Sequence, residues 1–341
     1  MKKIRVAQIG VGHDHAFDIF KNVSNLTDVF EVAGYALPDD EKEKFAHKLH
    51  CFDGYQELTV EEIMANDSIT AVVIETEEKR LTKCALMAAE AGKQIYMDKP
   101  GSADYPSFEK LIRMVKEKNL VFHVGYMYRY NPVLIDLIEK VKAGYLGEIF
   151  NIEAQMNGIS PPTVEKRRWL NDFDGGMMFF LGCHLIDLIL RILGEPEEVV
   201  PLNACTGVSG VTAKDYGMAV LKYKNAQAFA KTCAQEYGGF PRRQLVICGT
   251  KGTAEVKPLE MHAGSIDHHT GADHCTEVVY YMDSAWTHPG EKIVSDAYSR
   301  YENMVRSFAQ IVNGEKENPF TYDYELQLFK YTMLASGLDL A

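Results

Sequence analysis

The chain has 341 residues, of which 46% are hydrophobic and 25% are charged, and its formal net charge at pH 7 is -12. This length favours two domains, the composition is that of a globular protein, and the acidic balance argues against nucleic acid or an anionic membrane as a main partner. The start of the chain has no apolar signal segment, and its seven cysteines include no CxxC pair. Reduced thiols and a cytoplasmic location are therefore expected.

The first third of the chain alternates short apolar runs with amphipathic helical stretches. The run IRVAQIG at residues 4–10 is typical of a strand, and the stretch after it has apolar residues at helical spacing. Strands that alternate with helices in this way form right-handed βαβ units around a parallel sheet. Residues 1–123 are therefore predicted to form a doubly wound α/β domain.

The pattern changes in residues 124–341. Longer candidate strands alternate apolar with polar residues, which is typical of an open, mostly antiparallel sheet with one wet face. Two helical segments at 301–314 and 324–338 close the chain, and the last helix is free to pack back toward the first domain. This α+β domain is expected to pair with copies of itself through the exposed face of its open sheet.

A glycine-rich turn separates the first strand from the first helix. Gly10 allows a tight turn, and Gly12 lets the backbone approach a pyrophosphate at the start of a helix. His15 stands where the usual third glycine is expected. The turn predicts a dinucleotide site that also includes Val11, His13 and Asp14, because it follows a strand and opens a helix.

The choice between NAD and NADP rests on the end of the second strand. An acid is expected there to hold the adenine ribose, but the position is Leu37, followed by Pro38, Asp39 and Asp40. These two acids are expected to substitute for the missing one and to repel a 2′-phosphate. NAD is therefore favoured, and NADP remains open.

Three further motifs extend the pattern. An acid–Lys–Pro triplet, Asp98-Lys99-Pro100, ends a strand. A Gly-aromatic-x-x-Arg-aromatic-x-Pro segment follows at 125–132, and a Gly-Gly…Gly-x-His-x-x-Asp segment lies at 175–187. In this order, the motifs resemble the glucose–fructose oxidoreductase/inositol dehydrogenase/MocA (Gfo/Idh/MocA) family over essentially the whole chain.

The resemblance implies a Rossmann domain and an α+β domain whose open sheet builds homodimers or homotetramers. It also implies NAD(P)-dependent oxidation or reduction of a hydroxyl on a sugar, cyclitol or related polyol. It implies that Lys99 and His184 are the acid/base residues, which agrees with the need to remove a hydroxyl proton when hydride leaves. The remaining implied site residues contact the cofactor (Thr76, Asp98, Pro100) or the substrate (Tyr126, Arg129, Trp169, Asp187). Trp169 ends the segment Glu165–Trp169, which lies where the family has substrate loops; a solvated loop with one packed Trp is the alternative.

The sequence departs from the family pattern at two places. Phe180 stands one helical turn before His184, where many members have an aspartate, and phenylalanine cannot carry a proton. After Thr76, Glu77 replaces the usual proline and Leu81 the usual histidine, and Glu75 adds charge near the cofactor. Two alternatives therefore stay open: a non-redox lyase or hydrolase that uses a metal or a transient cofactor, and a binding or regulatory homologue with impaired catalysis.

A histidine-rich segment is the remaining candidate site. It contains His268, His269, His274 and Cys275, whose spacing matches no standard zinc site. A polar loop is favoured and no metal site is predicted. His13 and His15 are expected to line the cofactor turn rather than to bind a metal.

Overall fold

The apolar runs of the first third of the chain form one parallel sheet. The structure, a computed structural model, describes residues 3–158, 163–267, 272–284 and 288–341. The strands of this sheet are β1 (Ile4–Ile9), β2 (Phe30–Ala36), β3 (Ala71–Ile74), β4 (Gln94–Met97) and β5 (Phe122–Val124). Their order is β2-β1-β3-β4-β5, and all neighbours are parallel. The predicted Rossmann-type sheet is confirmed.

The helices between these strands bury the apolar faces that the sequence predicts. They are α1 (Ala16–Asn25), α2 (Glu41–Lys44), α3 (Val60–Ala65), α4 (Leu81–Glu90) and α5 (Tyr105–Glu117). Helix α5 begins where the Asp104 side chain accepts a hydrogen bond from the Ser107 N–H, and it buries Phe108 and Leu111. Capping and a regular apolar stripe thus fix this helix locally.

The strand order reverses between β1 and β3. From β1 the chain runs to β2 on one side, and it returns to β3 on the other side of β1. In open α/β sheets, ligands bind beyond the carboxyl ends of the strands at such a reversal. Gly10 follows β1 there, Glu75 follows β3, and Asp98 follows β4 one strand further along.

The chain divides into two compact units. Unit 1 consists of residues up to Met127, Tyr301–Phe329 and Ala341, and unit 2 consists of Tyr128–Arg300 and Lys330–Leu340. Helix α9 (Glu302–Val312) and the first half of α10 (Tyr322–Ala335) thus belong to unit 1, whereas the sequence prediction assigned 124–341 to the second domain. The rings of Phe108 and Phe329 stack with centroids 3.9 Å apart, so α10 completes the core of unit 1.

Unit 2 is built on the open sheet. Its order is β15-β14-β11-β10-β6-β9-β8-β7, where β6 and β9 are parallel and the other neighbours antiparallel. These strands are β6 (Ile149–Gln155), β7 (Glu198–Pro201), β8 (Tyr216–Lys222), β9 (Gln227–Cys233), β10 (Gln244–Gly249), β11 (Gly252–Val256), β14 (Glu277–Tyr281) and β15 (Glu291–Val294). The predicted large, mostly antiparallel sheet is confirmed. A separate hairpin of β12 (Met261–Asp267) and β13 (Ala272–Cys275) was not expected.

The helices of unit 2 correct one prediction. They are α6 (Pro132–Lys142), α7 (Val164–Trp169) and α8 (Cys183–Leu193). The segment Glu165–Trp169 is helical rather than a loop because Thr163 caps it by accepting a hydrogen bond from the Lys166 N–H. Arg167 on this helix is buried and pairs with Asp215.

Among the described residues, we find no helix with both the length and the apolar character that crossing a bilayer requires.

Candidate active site

The turn after β1 leaves room only for glycine at two positions. Gly10 has a φ of +89°, and a Cβ on it would lie 2.5 Å from backbone atoms of Thr76. A Cβ on Gly12 would lie 2.6 Å from Glu77 Cγ and 2.8 Å from Glu41 Oε1. The glycine turn therefore packs against the segment after β3, at the reversal of strand order.

A carboxylate occupies the N–H groups of this turn. Glu41, fully buried at the start of α2, accepts hydrogen bonds at Oε2 from Val11 N (2.8 Å) and Gly12 N (3.1 Å). Its Oε1 accepts a third from Glu77 N (2.9 Å) and a fourth from the Thr76 hydroxyl. Backbone N–H groups of a glycine turn that leads into a helix are donors that suit a phosphate, and here the Glu41 carboxylate occupies two of them. No sequence motif indicates Glu41, because it lies in a charged stretch far along the chain from the turn.

The acids expected near the adenine ribose are bound to an arginine. Arg80 pairs with Asp39 (3.0 Å), Asp40 (2.5 Å) and Glu77 (2.5 Å). Its hydrogen bond to the Asp40 carboxylate holds the pKa of that group below its usual value. Lys44 is a further partner of Glu77. The negative charge that the sequence places at Glu77 is thus largely balanced.

A cavity of about 290 Å³ opens beside this network. Its lining includes Leu37 and Asp39, which follow β2, together with Arg80 and Met87, which lie just before and within α4. In dinucleotide-binding sheets, the ribose hydroxyls are held at the end of the second strand. The cavity therefore lies where an adenosine is expected.

Two histidines and three carboxylates meet after the ends of β1, β3 and β4. Asp98 Oδ2 lies 3.3 Å from His13 Nδ1 and 3.1 Å from His15 Nδ1. Glu75 Oε2 lies 3.7 Å from the same His13 nitrogen, and Glu78 Oε1 lies 3.7 Å from His13 Nε2. His13, Glu75 and Asp98 are fully buried and Glu78 almost so, while the His15 side chain is 14% exposed.

Burial controls the protonation of this cluster. It raises the pKa of Glu75 well above the usual value, with a further contribution from Asp98, and it raises the pKa of Glu78. It also lowers the pKa of His15 to about 4, against the opposing effect of Asp98. Burial acts to raise the pKa of Asp98 too, but His13 and His15 outweigh it and hold that pKa well below its usual range. His15 is therefore neutral at pH 7.

Lys99 and its neighbours follow β4 as predicted. Lys99 is fully buried, and its backbone N–H donates to Asp98 Oδ1 at 2.7 Å. Pro100 is buried and joined to it by a cis peptide bond. A Cβ on Gly125 would lie 2.8 Å from the Tyr96 hydroxyl and 3.3 Å from Asp98 Oδ1. The glycine of the second motif thus lets that segment pack against the triplet; Tyr126 beside it is buried, and Asp14 is exposed.

In unit 2, His184 lies in the first turn of α8. It is buried, and its ring meets that of Tyr128 at a centroid distance of 5.5 Å, edge to face. The Tyr128 hydroxyl donates to Glu260 at 3.1 Å, and Arg243 and Arg300 pair with the same carboxylate. This network was missed because its members come from segments distant in sequence.

Arg129 and Asp187, both predicted to contact substrate, contact one another. Arg129 Nε and Nη2 donate to Asp187 Oδ1 at 3.0 and 2.9 Å, and both side chains are 1% exposed. Arg191 Nη1 lies 4.0 Å from the other Asp187 oxygen. The pair joins the start of α8 to the segment before α6, so at least part of each charge serves the fold.

Phe180 belongs to an aromatic cluster. It lies in a π-helical turn, Met178–Gly182, that leads into α8. Its ring packs edge to face on Trp169 with centroids 4.9 Å apart, and Phe173 lies within 6.1 Å. Phe180, which replaces the family's aspartate, is thus held in place by Trp169, which the sequence predicts to be a substrate residue.

The histidine-rich segment lies only partly within the described residues, since His268 and His269 are outside them. His274 on β13 lies beside Asp273, and with His262 these residues place one possible ligand atom each within 4.8 Å of one another. His262 is exposed, so this group lies at the surface of unit 2.

The parallel sheet, the glycine turn at its reversal and the triplet after β4 define a dinucleotide-binding oxidoreductase fold. The description "Oxidoreductase family, NAD-binding Rossmann fold" matches residues 4–126, and "GFO/IDH/MocA C-terminal domain" matches residues 135–255. The chain belongs to the Gfo/Idh/MocA family of NAD(P)-dependent oxidoreductases.

Curated relatives are distant in sequence. An oxidoreductase of Escherichia coli, YhhX, is 24% identical over 254 residues, which cover 73% of this chain and 70% of that protein. The myo-inositol 2-dehydrogenase of Thermotoga maritima is 21% identical over 257 residues, covering 73% and 74%. The scyllo-inositol 2-dehydrogenase (NADP(+)) IolW of Bacillus subtilis is 26% identical over 180 residues, which cover 53% of this chain and 48% of that protein. The chain thus spans only about half the length of several relatives.

Solved structures match nearly the whole chain. KijD10, a 3-ketoreductase from Actinomadura kijaniata in complex with NADP and TDP-benzene, has a TM-score of 0.77 at 19% identity, with 99% of this chain and 97% of that chain covered. A likeness at this identity shows the fold.

Proposed function

We propose that the chain moves hydride between nicotinamide and a hydroxyl-bearing or keto carbon of a sugar, cyclitol or related polyol. Lys99 is the observation that carries this proposal: a lysine side chain fully buried directly after β4, one strand beyond the reversal of the sheet, in a chain of this family. The inositol dehydrogenases and the 3-ketoreductase among the similar proteins support the substrate class. Unit 1 then holds the dinucleotide and unit 2 the substrate.

The glycine turn fits a pyrophosphate because its N–H groups already hold an anion. Val11 and Gly12 would donate to phosphate oxygens once the Glu41 carboxylate withdraws, and α2, which carries Glu41, is only four residues long. The cavity lined by Leu37 and Asp39 would hold the adenosine, and Asp39 would accept from a ribose hydroxyl. A carboxylate at this place repels a 2′-phosphate, which favours NAD over NADP.

The acid/base roles fall to Lys99 and His184. Nicotinamide, when bound, supplies or accepts the hydride at the carbinol carbon. In oxidation, a lysine amine or a neutral imidazole takes the hydroxyl proton, and in reduction the same groups return it. His13, Asp14, Thr76, Asp98 and Pro100 remain predicted cofactor residues, and Tyr126, Arg129, Trp169 and Asp187 remain predicted substrate residues.

Replacement of Lys99 tests the proposal. NAD⁺ and NADP⁺ reduction is followed by absorbance with a panel of inositols, aldoses and their keto forms in the reverse direction. Lys99→Met should lower kcat by roughly 10²–10⁴-fold and leave the Kd for NADH within a few fold. The matched control is Lys93→Met, a buried lysine just before the opposite end of the same strand, which should keep the parent kcat. If Lys99→Met turns over at the parent rate, the assignment of Lys99 is wrong; if the parent neither binds NADH nor turns over any member of the panel, the proposed function is wrong.

One observation favours a second candidate, a binding or regulatory protein that holds no dinucleotide. The Glu41 carboxylate satisfies the N–H groups that a pyrophosphate requires. A fluorescence titration with NADH separates the candidates, because saturable binding by the parent protein excludes the second one.

We also propose that copies of the chain associate through the open sheet of unit 2. Half-buried residues form one cross-strand row over its outer face, in the order Val220, Phe229, Glu153, Val246, Glu255, Val279. Four of the six are apolar, which is typical of an interface rather than a wetted face. Light scattering should give the mass of a dimer or tetramer, and a monomer mass at micromolar concentration would contradict the proposal.

A further inference from the structure

We propose that unit 1 binds one divalent transition-metal ion through the imidazoles of His13 and His15 and the carboxylates of Asp98 and Glu75. The site goes beyond dinucleotide-dependent oxidation and replaces the expectation that the two histidines only line the cofactor turn. All four residues follow strands of the same sheet, so the fold itself brings them together.

The distances between the ligand atoms suit a bound ion. Zinc-like ions lie about 2.0–2.2 Å from nitrogen and oxygen ligands, which puts neighbouring ligand atoms about 3.0–3.5 Å apart. Asp98 Oδ2 is 3.3 Å from His13 Nδ1 and 3.1 Å from His15 Nδ1, and Glu75 Oε2 is 3.7 Å from His13 Nδ1. His13, His15 and Asp98 place one ligand atom each within 4.8 Å of one another, and Glu75 lies next to this group on the side of His13.

Glu75 independently indicates a missing ligand. Its side chain is fully buried, and among the described residues no nitrogen or hydroxyl donates a hydrogen bond to either carboxylate oxygen; the carboxyl group of Asp98 is its neighbour within hydrogen-bond reach. A buried carboxylate without donors is costly, and such groups are typically paired or coordinate a metal. Here Glu75 faces a second carboxylate, Asp98, and a divalent cation satisfies both.

The hydrogen bonds around His13 prepare it as a ligand. The backbone N–H of His15 donates to His13 Nδ1 at 3.2 Å, and the same nitrogen lies 3.3 Å from Asp98 Oδ2. The bond is long, and the ion has to replace it. His13 Nε2 then carries the proton, 3.7 Å from Glu78, a carboxylate that can orient the ring as a second-shell partner does in metal sites.

The donor set selects the class of metal. Two neutral imidazoles with two carboxylates suit Zn²⁺, Fe²⁺, Mn²⁺ or Co²⁺ better than Ca²⁺ or Mg²⁺, which prefer oxygen ligands alone. The two negative carboxylates balance the charge of such an ion. The partly exposed side chain of His15 gives the ion access from solvent.

Cobalt binding tests the site without any cofactor or substrate. Full-length protein is stripped with a chelator, dialysed and titrated with Co²⁺, whose ligand-field absorption reports binding and coordination. One equivalent should bind. His15→Ala and the isosteric Glu75→Gln should each weaken binding by roughly 100-fold or more, since loss of even a second-shell partner costs about 10–100-fold. Thermal unfolding of each metal-free variant establishes that it is folded.

His262→Ala is the matched control because it removes the other histidine group of the described residues, on the β12–β13 hairpin. It should bind cobalt like the parent. The proposal is overturned if the parent binds less than a tenth of an equivalent, if His15→Ala and Glu75→Gln both bind like the parent, or if only His262→Ala loses the signal. If the parent binds less than a tenth of an equivalent, the two carboxyl groups of Glu75 and Asp98 share a proton, with Lys99 nearby, instead of binding a metal ion. NADH binding is measured in a separate experiment. The number of cobalt ions bound per chain therefore tests the metal site even if the proposed dehydrogenase activity is absent.

Discussion

The two units treat buried carboxylates in opposite ways. In unit 2, arginine nitrogens lie 2.9 Å from Asp187, 3.2 Å from Asp215 and 2.6 Å from Glu260. In unit 1, Glu75 and Glu78 are equally buried, but each has a nitrogen of His13 at 3.7 Å in place of an arginine, and burial raises the pKa of both acids.

This difference separates charges that serve the fold from charges that await a ligand. A carboxylate bound by an arginine is satisfied in the folded chain and fixes the geometry around it. A buried carboxylate that lacks donors weakens the fold, and perturbed groups of this kind cluster at functional sites. The acids after β3 lie where α/β sheets bind ligands, and the arginine-bound acids of unit 2 lie on α8 and in the network around the open sheet.

Breaking an arginine pair should produce the largest loss of stability. Asp187→Ala leaves Arg129 buried without its main partner, so the free energy of unfolding in urea should fall by about 3–5 kcal/mol. Asp323→Ala is the control: its pair with Lys116 has a similar length, 2.7 Å against 2.9 Å, but both side chains are more than half exposed. That change should cost at most about 1 kcal/mol. Equal losses for the two variants would contradict the structural role of Asp187.

Replacing the Glu75 carboxylate should raise the free energy of unfolding rather than lower it. In metal-free protein, Glu75→Gln replaces a buried acid with an amide that can donate to Asp98, so the free energy of unfolding should rise by about 1–2 kcal/mol. Glu90→Gln at the exposed end of α4 should leave it unchanged. A loss of stability in the Glu75→Gln variant would mean that Glu75 is satisfied, and unit 1 would then resemble unit 2.

The parallel sheet could be predicted because its signals are local. Apolar runs of strand length alternate with helical stripes, and the glycine turn and the triplet each occupy a few consecutive residues. The sequence pattern allows the last helix to pack back toward the first domain, but it does not predict that α9 belongs to unit 1. The stacking of Phe329 on Phe108 joins residues far apart in the sequence, and no local pattern indicates it. Helix α7 was interpreted as a loop because a run of charged residues is typical of an exposed loop. The sequence does not show that Arg167 in this run is buried and pairs with Asp215.

Motif spacing predicts individual residues of the candidate site, but it does not predict the contacts between them. Gly10, Gly12, Asp98 and Lys99 were found from motif spacing. The cluster of His13 and His15 with Glu75 required knowledge of which strand ends are adjacent, and a charge pattern alone does not reveal burial. Glu41 gave no signal, because a glutamate in a run of charged residues is ordinarily solvated.

Replacement of Glu41 should have the smallest effect of the three, and it directly tests whether a buried acid of unit 1 competes with the dinucleotide. Unlike Glu75, the buried Glu41 carboxylate accepts hydrogen bonds from the N–H groups of the glycine turn. It should therefore compete with a pyrophosphate for these donors. Glu41→Ala should tighten NADH binding by about tenfold, which corresponds to about 1.4 kcal/mol, and lower the melting temperature because the turn loses its internal anion. Glu43→Ala, on the exposed side of the same short helix, should change neither quantity. Unchanged or weaker NADH binding in Glu41→Ala would show that the carboxylate belongs to the fold of the turn, as the arginine-bound acids belong to the fold of unit 2.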